Sequence, residues 1–95
     1  MIKLNFKYEE NKIYLKNDDE KVVAEITFPN EKANIVNINY VFVDESIRGQ
    51  GIANKIMKEA VKQIKKSGKK VIASCPFAKS WFEKNIEYKE LLIKT

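Results

Sequence analysis

The sequence predicts a mixed α/β fold of the α+β type, in which an antiparallel meander leads into a central strand and two helices. Three observations predict it. The first 43 residues repeatedly alternate apolar and polar positions, as half-buried strands do. Residues 51–67 carry an apolar stripe with the 3.6-residue period of an amphipathic helix. A short apolar run over 71–75 follows this helix, and strands joined through a helix pair in parallel.

The N-terminal meander contains three predicted strands, over residues 2–8, 12–16 and 22–28. In the first strand one face is apolar, with Ile2, Leu4, Phe6 and Tyr8. Polar turns at 10–11 and 17–20 separate the strands, and their Asn and Asp residues tolerate left-handed backbone. Pro29 and Asn30 are predicted to end the third strand.

Residues 33–43 have the longest alternation and predict one continuous central strand. One face carries Val36, Ile38, Tyr40 and Phe42. The opposite face starts and finishes apolar, with Ile35 and Val43. A strand that is apolar on both faces is covered on both sides, at least in part. We therefore expect the strand aromatics, including Tyr40, to lie in the core.

The C-terminal half is predicted to hold a long helix, a strand and a short helix. The long helix spans 51–67, and Gly68 fits the C′ position that ends it. The run over 71–75 predicts a buried strand parallel to the central one. Pro76 suits the first position of a helix over about 77–85, and residues 88–93 predict a final strand or turn. We expect residues 1–95 to form a single domain.

Composition narrows the classes of function. The 95 residues carry a net charge of +5, no histidine and one cysteine. These numbers exclude a histidine base or ligand and an internal disulfide, and we expect no metal. No apolar stretch approaches the roughly 18 residues that a membrane span needs, and the N-terminus lacks a signal peptide's apolar run. The positive charge suggests nucleic acid, a phosphorylated cofactor or no specific partner. We expect a cytoplasmic protein without membrane contact.

The turn between the central strand and the long helix is the most informative segment. Gly49 and Gly51 open a helix whose first N–H groups are unpaired and suit a phosphate or pyrophosphate. The P-loop spacing fails, because Asn54 and Lys55 do not provide its Gly-Lys-Ser/Thr. The dinucleotide fingerprint fails too, because it needs a third glycine at position 54 and an acidic residue about 20 positions further on. The pattern Arg/Gln-x-x-Gly-x-Gly/Ala matches residues 48–53 at every fixed position.

In this pattern the chain resembles the GNAT superfamily of N-acetyltransferases, whose acetyl-CoA pyrophosphate loop has that form. Residues 43–53, 70–77 and 81–85 are similar to a small, stand-alone GNAT subfamily with a Cys-Pro-Phe motif, and the resemblance covers about residues 35–92. It implies a GNAT-like fold and acetyl-CoA as cosubstrate. It also implies that a backbone cradle holds the pyrophosphate, formed by Arg48, Gly49, Gln50, Gly51, Ile52 and Ala53. The edge of Phe42 and Val43 would pair with the pantetheine arm like an added strand.

Cys75 is the candidate catalytic residue. A lone cysteine in an apolar strand is usually a small buried hydrophobe. Cys75, however, ends its strand where ligands bind in open α/β sheets, beside the N-terminus of a helix whose dipole stabilises a thiolate. The resemblance implies that it lines the thioester site. Its role could be acyl acceptor, proton donor to the departing CoA thiolate, or a lining residue alone.

The resemblance implies an acetyl-CoA-binding N-acetyltransferase that works by direct attack of an amine on the thioester. The subfamily often has a histidine on the central strand, where this chain has Asn39 or Tyr40, so the base would be a carboxylate or an ordered water. The acceptor amine is unidentified, and an open site in so short a chain suits a protein side chain. The alternative is a non-catalytic acyl-CoA-binding module. Nucleic-acid binding is disfavoured, because the strand aromatics are predicted to lie in the core.

Overall fold

Seven strands and two helices make up the mixed α/β architecture of residues 5–93, which a computed structural model describes. The strands are β1 (Lys7–Glu9), β2 (Lys12–Lys16), β3 (Val22–Thr27), β4 (Asn30–Lys32), β5 (Ile35–Ile38), β6 (Tyr40–Val43) and β7 (Lys70–Ala73). The helices are α1 (Ile52–Lys66) and α2 (Pro76–Lys84), with 3₁₀ segments at Glu45–Ile47 and Ile86–Leu91. The predicted fold class is thereby confirmed.

The strands form two hydrogen-bonded sheets. One has the order β1-β2-β3-β6 and is antiparallel throughout. The other has the order β4-β5-β7, in which β5 and β7 run parallel as predicted for two strands joined through a helix. Of the first predicted strand, residues 2–4 lie outside the described part of the chain, and Lys7 and Tyr8 belong to β1.

The prediction of one continuous central strand is wrong, because a β-bulge near Asn39 divides it into β5 and β6. Thr27 pairs with Tyr40, and Asn30 pairs with Val36. Between these two pairs the chain advances three residues from Thr27 to Asn30 but four residues from Val36 to Tyr40. One residue on the second side is therefore extra. The Asn39 N–H donates to the Thr27 carbonyl at 3.3 Å, and the Thr27 hydroxyl donates to Asn39 Oδ1 at 2.6 Å. These bonds hold the extra residue in place.

The bulge reverses which side chains face the core. An extra residue in a strand moves every later side chain to the opposite face. Val41 and Val43 pack against the core, whereas Tyr40 is 46% exposed and stacks on Phe42 with ring centroids 6.4 Å apart. The prediction that the strand aromatics lie in the core is wrong for Tyr40 and also for Tyr8, which is 53% exposed.

The third strand, β3, ends at Thr27 before Pro29, as predicted, but a further short strand, β4, begins directly after the proline. Pro29 has no N–H, but its carbonyl accepts a hydrogen bond from the Asn37 N–H at 2.9 Å. The chain can therefore stay paired with β5 beyond the proline, and Asn30 pairs with Val36. Pro29 lacks only a hydrogen-bond donor, and the missing N–H does not prevent the antiparallel pairing of β4 with β5.

Helix α1 covers the core face of the sheets and confirms the predicted apolar stripe. Its buried residues are Ile52, Ile56, Met57, Ala60, Val61 and Ile64. They join buried residues of β2, β3, β5, β7 and α2 in one hydrophobic cluster. The end of the chain adds a bridge between Val71 and Leu92. Neither helix, in the range 5–93, has the length and apolarity that crossing a bilayer would take.

Candidate functional site

The site is built around the turn that leads from β6 into α1. Gly49 has a φ of 86°, and Gly51, the N-cap of α1, has a φ of 73°. These left-handed conformations are strained for residues with a Cβ, which explains why both positions hold glycine. A Cβ added at either position would meet no atom within 4 Å. The space beside both Cα atoms is therefore open, and the N–H groups of the first turn of α1 have no partner within the helix.

Asp44 organises the start of this turn. It caps the 3₁₀ segment Glu45–Ile47, and its Oδ2 accepts hydrogen bonds from the hydroxyl and, at 3.0 Å, from the N–H of Ser46. The Ser46 hydroxyl, then the Ser46 N–H, and more weakly Lys21 and Arg48 hold the pKa of Asp44 below its usual 3.8. The Asp44 carboxylate thus fixes the chain at Ser46, six residues before helix α1 begins at Ile52.

A groove of about 500 Å³ opens beside the turn. Its walls come from β6, the turn, the first turn of α1 and α2. They are formed by Val41, Val43, Ile47, Arg48, Gly49, Gly51, Ile52, Ala53, Asn54 and Phe77. Most of these side chains are apolar, and Arg48 is the one cation among them. Such walls suit a ligand with an apolar arm and an anionic group.

The groove also runs along an unpaired strand edge. Within residues 5–93, β6 pairs only with β3. The Asp44 N–H points to β3, where it donates to the Val23 carbonyl at 2.7 Å. Because successive residues of an antiparallel ladder alternate in direction, the backbone polar groups of Val41 and Val43 point to the free edge. Arg48 Nε donates to the Val43 carbonyl at 3.1 Å, which leaves the N–H groups of Val41 and Val43 available.

A gap separates β6 from the end of β7. The N–H groups of Ser74 and Cys75 both donate to the Ile38 carbonyl at 3.2 Å. Strand β7 therefore pairs with β5 only as far as the bulge. Beyond the bulge, β6 pairs with β3 and not with β7. The Ser74 hydroxyl also donates to Asn37 Oδ1 at 2.8 Å. Two parallel-running chain segments thus diverge at Asn39.

Cys75 lies at this divergence as the N-cap of α2. It is half-buried, packs against the core, and makes no side-chain capping hydrogen bond. The prediction that Cys75 lies at the N-terminus of a helix is confirmed, whereas the preceding strand β7 ends at Ala73, two residues earlier than predicted. It does not line the groove beside the turn.

Six of the predicted binding residues line the groove: Val43, Arg48, Gly49, Gly51, Ile52 and Ala53. Phe42, Gln50 and Cys75 do not. Phe42 points to the opposite sheet face because the bulge reverses the alternation. The same bulge brings in Val41, which sequence reasoning missed together with Ile47, Asn54 and Phe77. A signal existed for Phe77, since it belongs to the Cys-Pro-Phe motif.

Comparison with known proteins decides the family. Residues 12–91 match the family described as GCN5-related N-acetyltransferase. The chain belongs to the GCN5-related N-acetyltransferase family. A GCN5-like protein from Staphylococcus aureus, solved by NMR, is 35% identical with a TM-score of 0.81, and the match covers 100% of this chain and 93% of that one. The family resemblance seen in the glycine turn is confirmed.

Larger GNAT proteins share the fold. The Escherichia coli GNAT protein YhbS, crystallised with CoA, is 24% identical with a TM-score of 0.57, over 65% of this chain and 38% of that chain. A GNAT acetyltransferase of Elizabethkingia anophelis with acetyl-CoA bound is 13% identical with a TM-score of 0.61, over 79% and 51%. The chain thus spans about half or less of these two GNAT proteins. The comparison with curated proteins gave no match.

Proposed function

We propose that this GNAT chain binds acetyl-CoA along the groove and transfers its acetyl group to an amine. The observation that carries the proposal is the open turn of Gly49 and Gly51 at the mouth of a groove with apolar walls and an unpaired strand edge. In CoA an anionic pyrophosphate is attached to an apolar, amide-containing arm, and the groove offers a partner to each part. The backbone N–H groups of residues 48–53 would hold the pyrophosphate.

The free edge of β6 would hold the pantetheine arm. The N–H groups of Val41 and Val43 can donate to its amide oxygens, as in strand addition. Toward the bulge, a backbone N–H of this edge would polarise the thioester carbonyl. These groups are fixed by the β3–β6 ladder, so they need no reorganisation when charge develops on the carbonyl oxygen.

In the proposed reaction the neutral amine forms a bond to the acetyl carbon, the carbon–sulfur bond breaks, and CoA leaves as the thiolate. The amine proton passes to water or a carboxylate, and the thiolate takes up a proton. Cys75, at the gap beside the bulge, is the candidate that assists this last step. Cys75→Ser should then keep acetyl-CoA affinity and lower turnover, whereas unchanged turnover would remove Cys75 from the mechanism.

A second candidate function is an acyl-CoA-binding module without transferase activity. The chain has no histidine, and the residues that line the groove include no Asp or Glu. Calorimetric titration with acetyl-CoA, together with a free-CoA release assay over a panel of amines and lysine peptides, separates the two candidates. Binding with CoA release for at least one acceptor supports the transferase. Binding without release for every acceptor supports the module.

The acceptor is proposed to be an amine, with a protein side chain as the favoured source. Nucleic acid stays disfavoured, although Tyr14 and its neighbouring lysines lie on the sheet face opposite the core. Lys12 is ion-paired with Glu25 at 3.2 Å, and Lys16 with Glu20 at 3.6 Å. These carboxylates interrupt the positive charge that a phosphate backbone requires. A cytoplasmic location remains a prediction from the sequence.

A further inference from the structure

A second groove begins where the first one ends. It has a volume of about 560 Å³, and its walls include Asn54, Phe77, Ser80, Trp81 and Lys84. Asn54 and Phe77 line both grooves, so the two adjoin at this pair. The second groove lies along α2, and its walls include neither Val41 nor Val43.

The position of the two grooves matches the layout of one ligand. In CoA the pyrophosphate lies between the pantetheine arm and an adenosine that carries a 3′-phosphate. If the turn holds the pyrophosphate, the first groove takes the pantetheine arm toward the gap at Asn39. The adenosine must then leave in another direction, and the second groove adjoins the first at Asn54 and Phe77.

The walls of the second groove have the chemistry of a nucleotide site. Phe77 is 40% exposed, so its ring is available for stacking on a base. Trp81 is 4% exposed and is held by a 2.7 Å hydrogen bond from its Nε1 to Asn54 Oδ1, which makes the groove floor rigid. Lys84 lies in the last turn of α2, and among residues 5–93 no carboxylate lies within 4.0 Å of its Nζ.

We propose that the second groove binds the 3′-phosphoadenosine end of CoA, with Phe77 against the adenine and Lys84 against the 3′-phosphate. This inference rests on the proposed function, because it places the pyrophosphate at the glycine turn. It makes Lys84 the residue by which the chain distinguishes CoA from 3′-dephospho-CoA. A cation in the last turn of α2 also interacts favourably with the helix dipole, so the test must read binding as well as folding.

Calorimetric titration of the full chain with CoA and with 3′-dephospho-CoA tests the proposal. Wild type should bind CoA about tenfold more tightly, the typical effect of one charge-assisted hydrogen bond. Lys84→Ala should bind both ligands equally, with the affinity of wild type for 3′-dephospho-CoA. Lys79→Ala is the matched control, because it removes one cation from the same helix at a residue that lines neither groove. Circular dichroism verifies that both variants are folded.

Three outcomes would overturn the inference. Equal binding of the two ligands by wild type shows that the 3′-phosphate is not recognised, and leaves the proposed function standing. Equal losses in Lys84→Ala and Lys79→Ala show only the effect of net charge. Absence of binding of both ligands to wild type contradicts the proposed function and this inference together.

Discussion

The indole Nε1 of Trp81 donates a hydrogen bond of 2.7 Å to Oδ1 of Asn54, and this bond joins α2 to the first turn of α1. Trp81 is buried and stacks on Tyr88 with ring centroids 5.5 Å apart, so the donor is rigid. Asn54 lies three residues after Gly51 and lines both grooves. This bond therefore links the two helices that wall the candidate site, beside their packing in the core.

Substitution of Asn54 should separate stability from binding. Asn54→Ala leaves the indole N–H without its partner and should lower the free energy of unfolding by about 1–3 kcal/mol. Asn54→Asp keeps the acceptor oxygen and should retain that stability. Its carboxylate would face the pyrophosphate, so acetyl-CoA affinity should fall about tenfold. Urea unfolding and calorimetry measure the two effects, and wild-type affinity in Asn54→Asp would contradict this placement of the pyrophosphate.

Asp44 should stabilise the turn in a pH-dependent way. Its pKa is lower in the folded chain than its usual 3.8, because Ser46 donates two hydrogen bonds to the carboxylate. The stabilisation is therefore present above pH 3.8 and is lost as the pH falls through the folded pKa. Asp44→Asn should be less stable than wild type at pH 7, and the difference should shrink below pH 3.8.

Thermal unfolding from pH 2.5 to 7 measures the effect of Asp44. Asp18→Asn is the control, since it removes an exposed carboxylate that makes no hydrogen bond or ion pair within residues 5–93. A stability difference between wild type and Asp44→Asn that is constant across this range would show that the carboxylate is not the stabilising group.

Tyr8 and Glu59 should couple β1 to α1 up to high pH. The Tyr8 hydroxyl donates to Glu59 Oε1 at 2.6 Å, and this bond, with burial and the Glu59 charge, raises the pKa of Tyr8 to about 12. The stabilisation is complete below the usual tyrosine pKa of 10 and is lost as the pH rises through 12. Tyr8→Phe should be less stable than wild type at pH 8, and the difference should narrow above pH 10.

Urea unfolding at pH 8 and above pH 10 measures this coupling. The control is Tyr40→Phe, which removes a hydroxyl that makes no hydrogen bond within residues 5–93. A pH dependence of the same size in Tyr40→Phe would assign the effect to alkaline denaturation in general.

Local patterns in the sequence were sufficient for α1 and α2. The stripe from Ile52 to Ile64 has the helical period, Gly68 ends α1 in a left-handed conformation, and Pro76 occupies the first turn of α2. Each of these signals acts within a few residues and does not depend on distant contacts. The glycine turn was predictable for the same reason.

The bulge at Asn39 could not be predicted, because its causes are distant in sequence. It depends on the Thr27 hydroxyl twelve residues earlier and on β7, which leaves β5 at Ile38. The alternation of residues 33–43 carries no break, so a continuous strand was the natural interpretation. Because of this one extra residue, Val41 lines the groove and Phe42 does not. The exposure of Tyr40 has the same cause.

The central claim is that acetyl-CoA binds over the glycine turn, and two alanine substitutions test it most directly. Gly51 and Gly68 have φ values of 73° and 77°, and a Cβ at either meets no atom within 4 Å. Each substitution should therefore cost a similar, modest amount of stability, about 1 kcal/mol. They differ in place, since Gly51 lines the groove and Gly68 lies at the opposite end of α1.

Calorimetric titration of acetyl-CoA into Gly51→Ala and Gly68→Ala is the decisive measurement. A methyl group at position 51 occupies the open space in which the pyrophosphate would approach the backbone, so affinity should fall by about tenfold or more. Gly68→Ala should bind acetyl-CoA as wild type does. Equal affinity in the two variants would contradict the placement of the cofactor over this turn.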